Sequence, residues 1–411
     1  MQTEFDLIII GAGCAGLSLG MQLASLHAQA PRTLLLESRL AYENDRTWCF
    51  WGDEQTPFAT LAKHSWQRFS VNNGVSRALV DCSTTPYRLL TAADFYMQAI
   101  QTIASNTAMD LKTGISLTDE PSLSNGRWHV HTTVGSFSAN AIVDTRPLPT
   151  QQLSGTTLWQ SFLGCELEFQ EPHFDPTSAQ LMDFCQATQA FIGFNYVLPV
   201  STTRALVEFT VFASKIYDQA ELVSYLDAQV EKIAGGRPYQ RLRNEYGLIP
   251  MGVGKPKGTV ELKATVKAKG TVEPKATVEP KAKVELAEQH SSYVRVGLTA
   301  GAARPATGYA FQRIQRWALA CKQSLQKTGL PVGHQPDSFV LRQMDAIFLN
   351  VLRHHPELGS ELFMRLFSKV NSEKLIRFLS DQGRVSDYLA VILSLPPGLF
   401  IKSAYQVATT R

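Results

Sequence analysis

The sequence contains no CxxC pair and no group of cysteine and histidine residues at the spacing of a metal site. Because its cysteines are scattered, we expect reduced thiols and a cytosolic protein rather than a disulfide framework. His129 and His131 share one face of a predicted strand, but no third ligand lies near them in the sequence. We therefore predict no metal site. The six cysteines are Cys14, Cys49, Cys82, Cys165, Cys185 and Cys321.

A strong net charge is also missing, because 39 basic residues nearly balance 36 acidic ones and leave a formal charge of +3. This balance gives no support to nucleic-acid binding and permits only weak attraction to an anionic membrane surface. Residues 7–30 contain no Asp, Glu, Lys or Arg. The segment before them carries Glu4 and Asp6 where a signal peptide has basic residues, so we expect neither a signal peptide nor a transmembrane segment.

What the chain does contain is enough apolar sequence for a large core, since 44% of its 411 residues are hydrophobic and 18% are charged. The buried strand "FDLIII", the turn "GAGCAG", the helix "LSLGMQLASLHA" and the buried strand "TLLLE" form a predicted βαβ unit over residues 5–37. A helix at 92–105 and strands up to about residue 147 follow. Residues 155–250 mix strands with one helix, and from about residue 310 the pattern is mostly helical.

The glycines of "GAGCAG" have the G-x-G-x-x-G spacing of a dinucleotide-binding turn. Gly11 permits the tight turn, Gly13 lets the backbone approach a pyrophosphate, and Gly16 lets the helix pack on the strand. Glu37 ends the next strand and is suited to accept hydrogen bonds from ribose hydroxyls. Because a strand precedes the motif and a helix follows it, we predict dinucleotide binding.

The segment after Glu37 distinguishes between the two common dinucleotides. NAD-dependent dehydrogenases usually continue at once with further βα units. Residues 38–54, "SRLAYENDRTWCFWGDE", are instead aromatic, and we expect them to be irregular. This difference favours FAD bound by a discontinuous domain.

Residues 258–287 divide into five hexapeptides, GTVELK, ATVKAK, GTVEPK, ATVEPK and AKVELA. One valine in each unit gives little to bury, so we favour a solvated, flexible insertion between ordered strands. A hexapeptide β-helix needs more apolar positions in each coil. A basic arm that touches lipid headgroups is a third interpretation, although the interleaved glutamates weaken it.

The strand "ALVEFTVF" carries a carboxylate, Glu208, between apolar neighbours on both of its faces. Val207 and Phe209 fall on one face, while Leu206 and Phe212 share the face of Glu208. An apolar setting raises the pKa of a carboxyl group, as a proton donor requires. From the pattern alone, a pairing with arginine or a solvated strand edge explains Glu208 as well.

Taken together, eight segments resemble the bacterial-type lycopene β-cyclases over nearly the whole chain apart from the hexapeptides. The fingerprint is shared by many flavoproteins, whereas "NDRTWCFW" and "RPATGYAF" in this order are much more specific. The segments are "DLIIIGAGCAGLSL" (6–19), "NDRTWCFW" (44–51), "PYRLLTAADF" (86–95), "IVDTRP" (142–147), "LWQSFLGCELE" (158–168), "EFTVF" (208–212), "EYGLIPM" (245–251) and "VGLTAGAARPATGYAF" (296–311).

The resemblance implies an α/β fold like that of the flavoprotein hydroxylases, with a Rossmann-type FAD-binding domain, a mixed β-sheet substrate domain and a C-terminal helical region. The expected division is 1–150 with 291–330 for FAD, 151–252 for substrate, 253–290 for the insertion and 331–411 for the helical region. Hydroxylases place a Gly-Asp pair in the late flavin motif, but "GLTAGAARPATGYAF" has no Asp, which disfavours an oxygenase. We expect Gly301, Thr307 and Gly308 to lie against the flavin.

The resemblance further implies a redox-neutral cyclisation of lycopene. A proton adds to the terminal double bond of a ψ-end, the C5–C6 double bond attacks the cation at C1, and loss of a proton from C6 leaves a β-ring. Glu208 is the expected general acid/base and Glu245 a second acidic candidate. Reduced FAD stabilises the cation, and NADPH or another donor keeps it reduced.

Arg46, Trp48, Phe50 and Trp51 are expected to line the flavin or the polyene, with core packing as the alternative.

Because lycopene and related carotenoids partition into lipid, we expect a cytoplasmic protein attached peripherally to the membrane, in contact with other carotenoid-pathway enzymes. The C-terminal segments "EKLIRFLSDQ" and "PPGLFIK" are candidates for that attachment, and ordinary amphipathic packing is their alternative.

The sequence leaves two other functions open. One is an FAD-dependent isoprenoid reductase or monooxygenase, and the other is a non-catalytic protein that binds flavin or carotenoid.

Overall fold

The computed structural model describes residues 3–153, 155–187, 190–252 and 290–409, so the hexapeptides at 258–287 lie outside the described residues. The strands of the described residues are β1 Glu4–Ile10, β2 Thr33–Leu36, β3 Thr47–Trp51, β4 His64–Trp66, β5 Arg68–Asn72, β6 Arg77–Asp81, β7 Tyr87–Thr91, β8 Met109–Lys112, β9 Ser122–Ser124, β10 Arg127–Thr132, β11 Gly135–Asp144, β12 Leu158–Phe169, β13 Ser178–Ala187, β14 Phe191–Pro199, β15 Arg204–Ala213, β16 Tyr239–Met251 and β17 Tyr293–Arg295. Their α-helices are α1 Cys14–Ala24, α2 Ala92–Ala104, α3 Gln219–Ala234, α4 Phe311–Thr328, α5 Phe339–His354, α6 Gly359–Lys369, α7 Ser372–Leu379, α8 Val385–Ser394 and α9 Pro397–Thr409.

The first sheet is built around the predicted βαβ unit and has the order β8-β2-β1-β11-β10-β9, with β17 also paired to β11. The pairs β1–β2, β2–β8, β1–β11 and β11–β17 are parallel, while β10 is antiparallel to both of its neighbours. Ile8 and Ile9 point to opposite faces of β1 and are both fully buried, as in a parallel sheet that is covered on both sides. Helix α1 packs against α2 and α4.

The second sheet has the order β16-β12-β15-β14-β13-β5-β6 and is antiparallel except at the β13–β5 pair. Strands β5 and β6 lie within residues 1–150, so the sequence range predicted for the FAD-binding domain also contributes to this sheet. On β15, Val207 and Phe209 pack in a core with Leu222 and Leu226 of α3. The opposite face of β15 therefore points away from α3, and it carries Glu208.

A small third sheet has the order β3-β7-β4. Its strand β3 falls within residues 38–54, so the expectation that this whole segment is irregular is wrong. Thr47–Trp51 consists of a β-branched residue, aromatics and cysteine, which suit a pleated strand, and it pairs with β7 over five residues. This sheet positions the "NDRTWCFW" segment beside the second sheet.

The C-terminal helices α5–α9 complete the core on the β5–β6 side of the second sheet, where α6 contacts β5, β6 and β13. Within the described residues, no single helix is long and apolar enough to span a membrane. Helices α8 and α9 reach that length and composition only as a pair, and the pair bends by 113°.

Candidate functional site

The glycine turn opens the N-terminus of α1 toward a cavity. Gly11 has a φ of +88°, which only glycine adopts without strain, and a Cβ on Gly16 would lie 2.0 Å from the carbonyl oxygen of Gly11. By contrast, a Cβ on Gly13 would have no heavy atom within 4 Å. The first and third glycines are therefore required by the protein's own packing, whereas the second faces free space.

Glu37 lies at the end of β2, directly beside this turn. Its Oε2 accepts a hydrogen bond from the Ala12 N–H at 2.8 Å, and its Oε1 accepts from the Arg39 N–H at 3.0 Å. Burial acts to raise the pKa of Glu37, but the hydrogen bonds and charge of Arg39 and the Ala12 N–H outweigh it and lower the pKa. Glu37 is thus a fixed, ionised hydrogen-bond acceptor.

One cavity of about 750 Å³ connects the glycine turn with the second sheet. Its lining includes most of the predicted site residues, namely Gly11, Gly13, Glu37, Arg46, Glu208, Glu245, Thr307 and Gly308. Two predicted residues are not in the lining. Gly16 is packed between helix and strand, and Gly301 is exposed and lies near His334.

Glu208 and Glu245 face each other across strand β12, near the β16 edge of the second sheet. Gly164 on β12 pairs with Glu208 on β15 and with Glu245 on β16, and residues that pair directly across strands share a face. A Cβ on Gly164 would lie 3.4 Å from the Cγ of each glutamate. The missing side chain lets the two carboxyl groups converge over β12.

The environment of Glu208 is apolar. The Thr210 hydroxyl donates a hydrogen bond to its Oε1 at 3.1 Å. Burial and then the charge of Glu245 raise the pKa of Glu208 to about 8, and Thr210 and the charge of Arg243 offset only part of this rise. Glu208 therefore holds its proton at neutral pH, as a proton donor must.

The environment of Glu245 is polar and charged. Its Oε2 accepts hydrogen bonds from the Thr47 hydroxyl at 2.8 Å and from Nη1 of Arg243. The same guanidinium donates to Thr47 at 2.6 Å and to Glu166 at 3.0 Å. Because a cation pairs with it directly, Glu245 carries a negative charge beside the neutral Glu208.

Aromatic rings form much of the remaining cavity wall. Trp48 lines the cavity and stacks on Phe311, with 5.5 Å between ring centroids. Phe50 and Trp51, which follow Trp48 on β3, are instead buried in the cores on either side and do not line this cavity. The lining also contains Phe162, Tyr87, Tyr196 and Tyr309, and burial raises the pKa of these three tyrosines.

The "RPATGYAF" loop closes the cavity between the sheets. Gly308 has a φ of +72°, and a Cβ there would lie 2.8 Å from Oε1 of Gln160 and 3.2 Å from Ile249. Arg304 is fully buried, pairs with Asp345 of α5 at 3.4 Å and donates to the Phe378 carbonyl at the end of α7. The C-terminal helices thereby hold the loop against the second sheet.

Sequence reasoning missed several residues that shape this site. Gly164 had a signal, because an isolated glycine inside an apolar strand often marks a close approach. Arg243 also had one, since it lies two positions before Glu245 and therefore on the same strand face. Thr47 had none, because 196 positions separate it from Arg243.

The family model described as lycopene cyclase protein matches residues 6–405, nearly the whole chain. The resemblance derived from the eight segments is thereby confirmed. Comparison with curated proteins gives no significant match.

Solved structures share the fold at low sequence identity. A geranylgeranyl bacteriochlorophyll reductase-like protein from Thermoplasma acidophilum has a TM-score of 0.59 at 13% identity, covering 98% of this chain and 99% of that one. A flavin-dependent brominase has a TM-score of 0.60 at 10% identity, covering 100% of both chains. The p-nitrophenol 4-monooxygenase of Pseudomonas putida DLL-E4 has a TM-score of 0.50 at 11% identity, covering 99% and 98%. Structural similarity at such low sequence identity shows a common fold alone. It confirms the predicted α/β fold class.

Proposed function

The chain belongs to the lycopene cyclase family, and we propose that it is a lycopene β-cyclase of the isomerase class. It converts the ψ-ends of lycopene into β-rings, first to γ-carotene and then to β-carotene, without net redox change. The observation that carries this proposal is the position of the Glu208 carboxyl group, which lies beside Gly164 in an aromatic-lined cavity that also reaches the dinucleotide fingerprint.

Glu208 donates the proton that starts the reaction. Protonation of an alkene needs an acid that is neutral when the substrate binds, and the raised pKa of Glu208 supplies one near pH 7. The aromatic side chains around it exclude water from the cation that follows, and their faces attract positive charge. The Thr210 hydroxyl orients the carboxyl group through its hydrogen bond to Oε1.

The residues at the other end of the cavity fit FAD. The free space beside Gly13 admits a pyrophosphate, the N-terminus of α1 favours negative charge, and the ionised Glu37 is ready to accept from ribose hydroxyls. Arg46, Thr307 and Gly308 line the same cavity. Reduced FAD, once bound, supplies negative charge that stabilises a carbocation, and NADPH or another donor keeps it reduced.

We also propose that the protein acts from the cytoplasmic side of the membrane as a peripheral protein. Of the two candidate segments, the α7 segment packs inward, with Leu375 and Ile376 buried. Helices α8 and α9 instead expose Leu393 (83%) and Ile401 (69%), which supports these two helices as the attachment surface. A lipid-dissolved polyene would reach the enzyme from that surface.

The test is expression in a lycopene-accumulating host, followed by chromatography and mass analysis of the pigments. We expect β-carotene or γ-carotene, with the mass of lycopene unchanged, and unchanged lycopene from Glu208→Gln. Lycopene left intact by a folded, flavin-loaded protein would refute the proposal. An isoprenoid reductase or monooxygenase would add hydrogen or oxygen and consume NAD(P)H in proportion, while a non-catalytic binder would leave the pigments unaltered.

A further inference from the structure

The two carboxyl groups in the cavity form a pair across a strand position that has no side chain. The Cγ atoms of Glu208 and Glu245 each lie 3.4 Å from the Cβ position of Gly164, which therefore lies between them. The register of β12 with β15 and β16 fixes this arrangement, because all three residues occupy one row of the sheet. A substrate carbon above Gly164 would have a carboxyl group on either side.

The hydrogen bonds of the pair are unequal. Both donors that reach Glu245, Thr47 and Arg243, bind its Oε2, and no described residue donates to its Oε1. Glu208 accepts only from Thr210, among the described residues, and has no cation in direct contact. The single proton of the pair is therefore on Glu208. Glu245 is ionised, and its Oε1 is available to accept a proton.

We propose that Glu245 accepts the proton lost from C6, so that donor and acceptor are different residues on either side of Gly164. This inference rests on the proposed cyclase function. It gives a catalytic role to Glu245 and a positioning role to Gly164 and Arg243.

The Glu208 hydroxyl donates its proton to C2, the π electrons of C5–C6 form the C1–C6 bond, and positive charge moves to C5. The C6–H bond then breaks, its electron pair forms the C5–C6 double bond of the β-ring, and the proton goes to Oε1 of Glu245. Transfer of that proton across Gly164 to Glu208 restores the starting state.

Geometry favours this division over a single residue that donates and retakes the proton, because the two carboxyl groups lie on either side of the position above Gly164, and electrostatics are compatible with it. Once Glu208 has donated, two carboxylates flank the cation, which they stabilise. They also repel each other, so that either one gains from taking up a proton. The pair loses one proton and regains one in each ring closure, so its total charge is the same before and after, and Arg243 balances one negative charge beside it.

The experiment compares Glu245→Gln, Glu245→Asp and Glu208→Gln by the rate and the type of ring formed from lycopene. Glutamine at 245 leaves the donor but removes the acceptor. We expect β-ring formation to fall by about 100-fold or more, with residual rings that lost a proton from C4 or from the C5 methyl group instead. Glu245→Asp should recover part of the rate and form β-rings alone, whereas Glu208→Gln should form no ring of any type.

Glu168→Gln serves as the matched control, because Glu168 lies on β12 outside the cavity lining. Wild-type rate and β-rings alone from Glu245→Gln would overturn the proposal, since Glu208 would then perform both proton transfers. An equal loss in Glu245→Asp and Glu245→Gln, without isomeric rings, would assign Glu245 a structural role and overturn it too. A wild-type protein that forms no rings would refute the cyclase function itself.

Discussion

Replacing Glu208 by glutamine is expected to stabilise the protein at alkaline pH while abolishing its activity. Glutamine has nearly the shape of the neutral acid and never ionises. The wild-type protein must either keep a proton on Glu208 or bury a second charge beside Glu245. The substitution removes that cost, as expected where a functional group is held in an unfavourable environment.

The magnitude follows from the pKa of Glu208, which rises from 4.5 to about 8 on folding. Because the folded state binds this proton more tightly, its contribution to stability is fully present below pH 4.5 and is lost as the pH rises to about 8. At 1.36 kcal/mol for each pH unit, the full loss is about 5 kcal/mol. Wild type and Glu208→Gln should therefore have similar stability near pH 4.5 and differ by several kcal/mol near pH 9.

The assay is thermal or urea unfolding of both proteins at a series of pH values, at equal flavin occupancy. Asp144→Asn gives a control of the opposite sign. Burial acts to raise the pKa of Asp144, but the hydrogen bond and charge of Arg146, the charge of Arg295 and the hydrogen bond from Tyr293 outweigh it and lower the pKa. This variant should be destabilised at neutral pH and recover relative to wild type in acid. Parallel stability curves for wild type and Glu208→Gln would refute the reasoning.

Three further predictions concern other parts of the molecule. Gly13→Val should fold with the melting temperature of flavin-free wild type and lose flavin absorbance, because its side chain would enter free space that the cofactor needs; retained flavin would contradict the assigned pyrophosphate position. Gly164→Ala should keep activity, since its Cβ would make ordinary 3.4 Å contacts, whereas Gly164→Val should lose ring formation by separating the two carboxyl groups; equal activity in both would remove the positioning role. Leu393→Glu should reduce co-sedimentation with anionic vesicles, while Val75→Glu, at a site 93% exposed, should not; equal binding would place the membrane surface elsewhere.

The nucleotide-binding half was predictable because its signals are local. Strand, glycine turn, helix and the acidic Glu37 follow one another within residues 5–37, and each has a short-range physical cause. Periodicity also identified "ALVEFTVF" as a strand and divided its residues correctly between two faces. The face of Val207 and Phe209 packs on α3, and the other carries Glu208 into the cavity.

The rest of the site depends on pairings that no short pattern contains. Strand β16 begins with the polar run "YQRLRNE", so the hydrophobic pattern does not identify it as a strand. Its register with β12 brings Glu245 beside Gly164. The placement of β5 beside β13 links segments about a hundred residues apart and cannot be read from composition. Phe50 and Trp51 show the same limit, because alternation along β3 directs them into cores whose other members come from distant segments.

The apolar residues on both faces of β15 have separate causes. Val207 and Phe209 bind the strand to α3, and this packing fixes the register with β12 and β14. A slip of one residue would turn Glu208 toward α3 and place Val207 or Phe209 opposite Gly164. The cavity would then lose its acid, and a charge would enter a core that contains no partner for it among the described residues. The α3 face must therefore be apolar to hold Glu208 in register, and the cavity face must be apolar to keep Glu208 protonated.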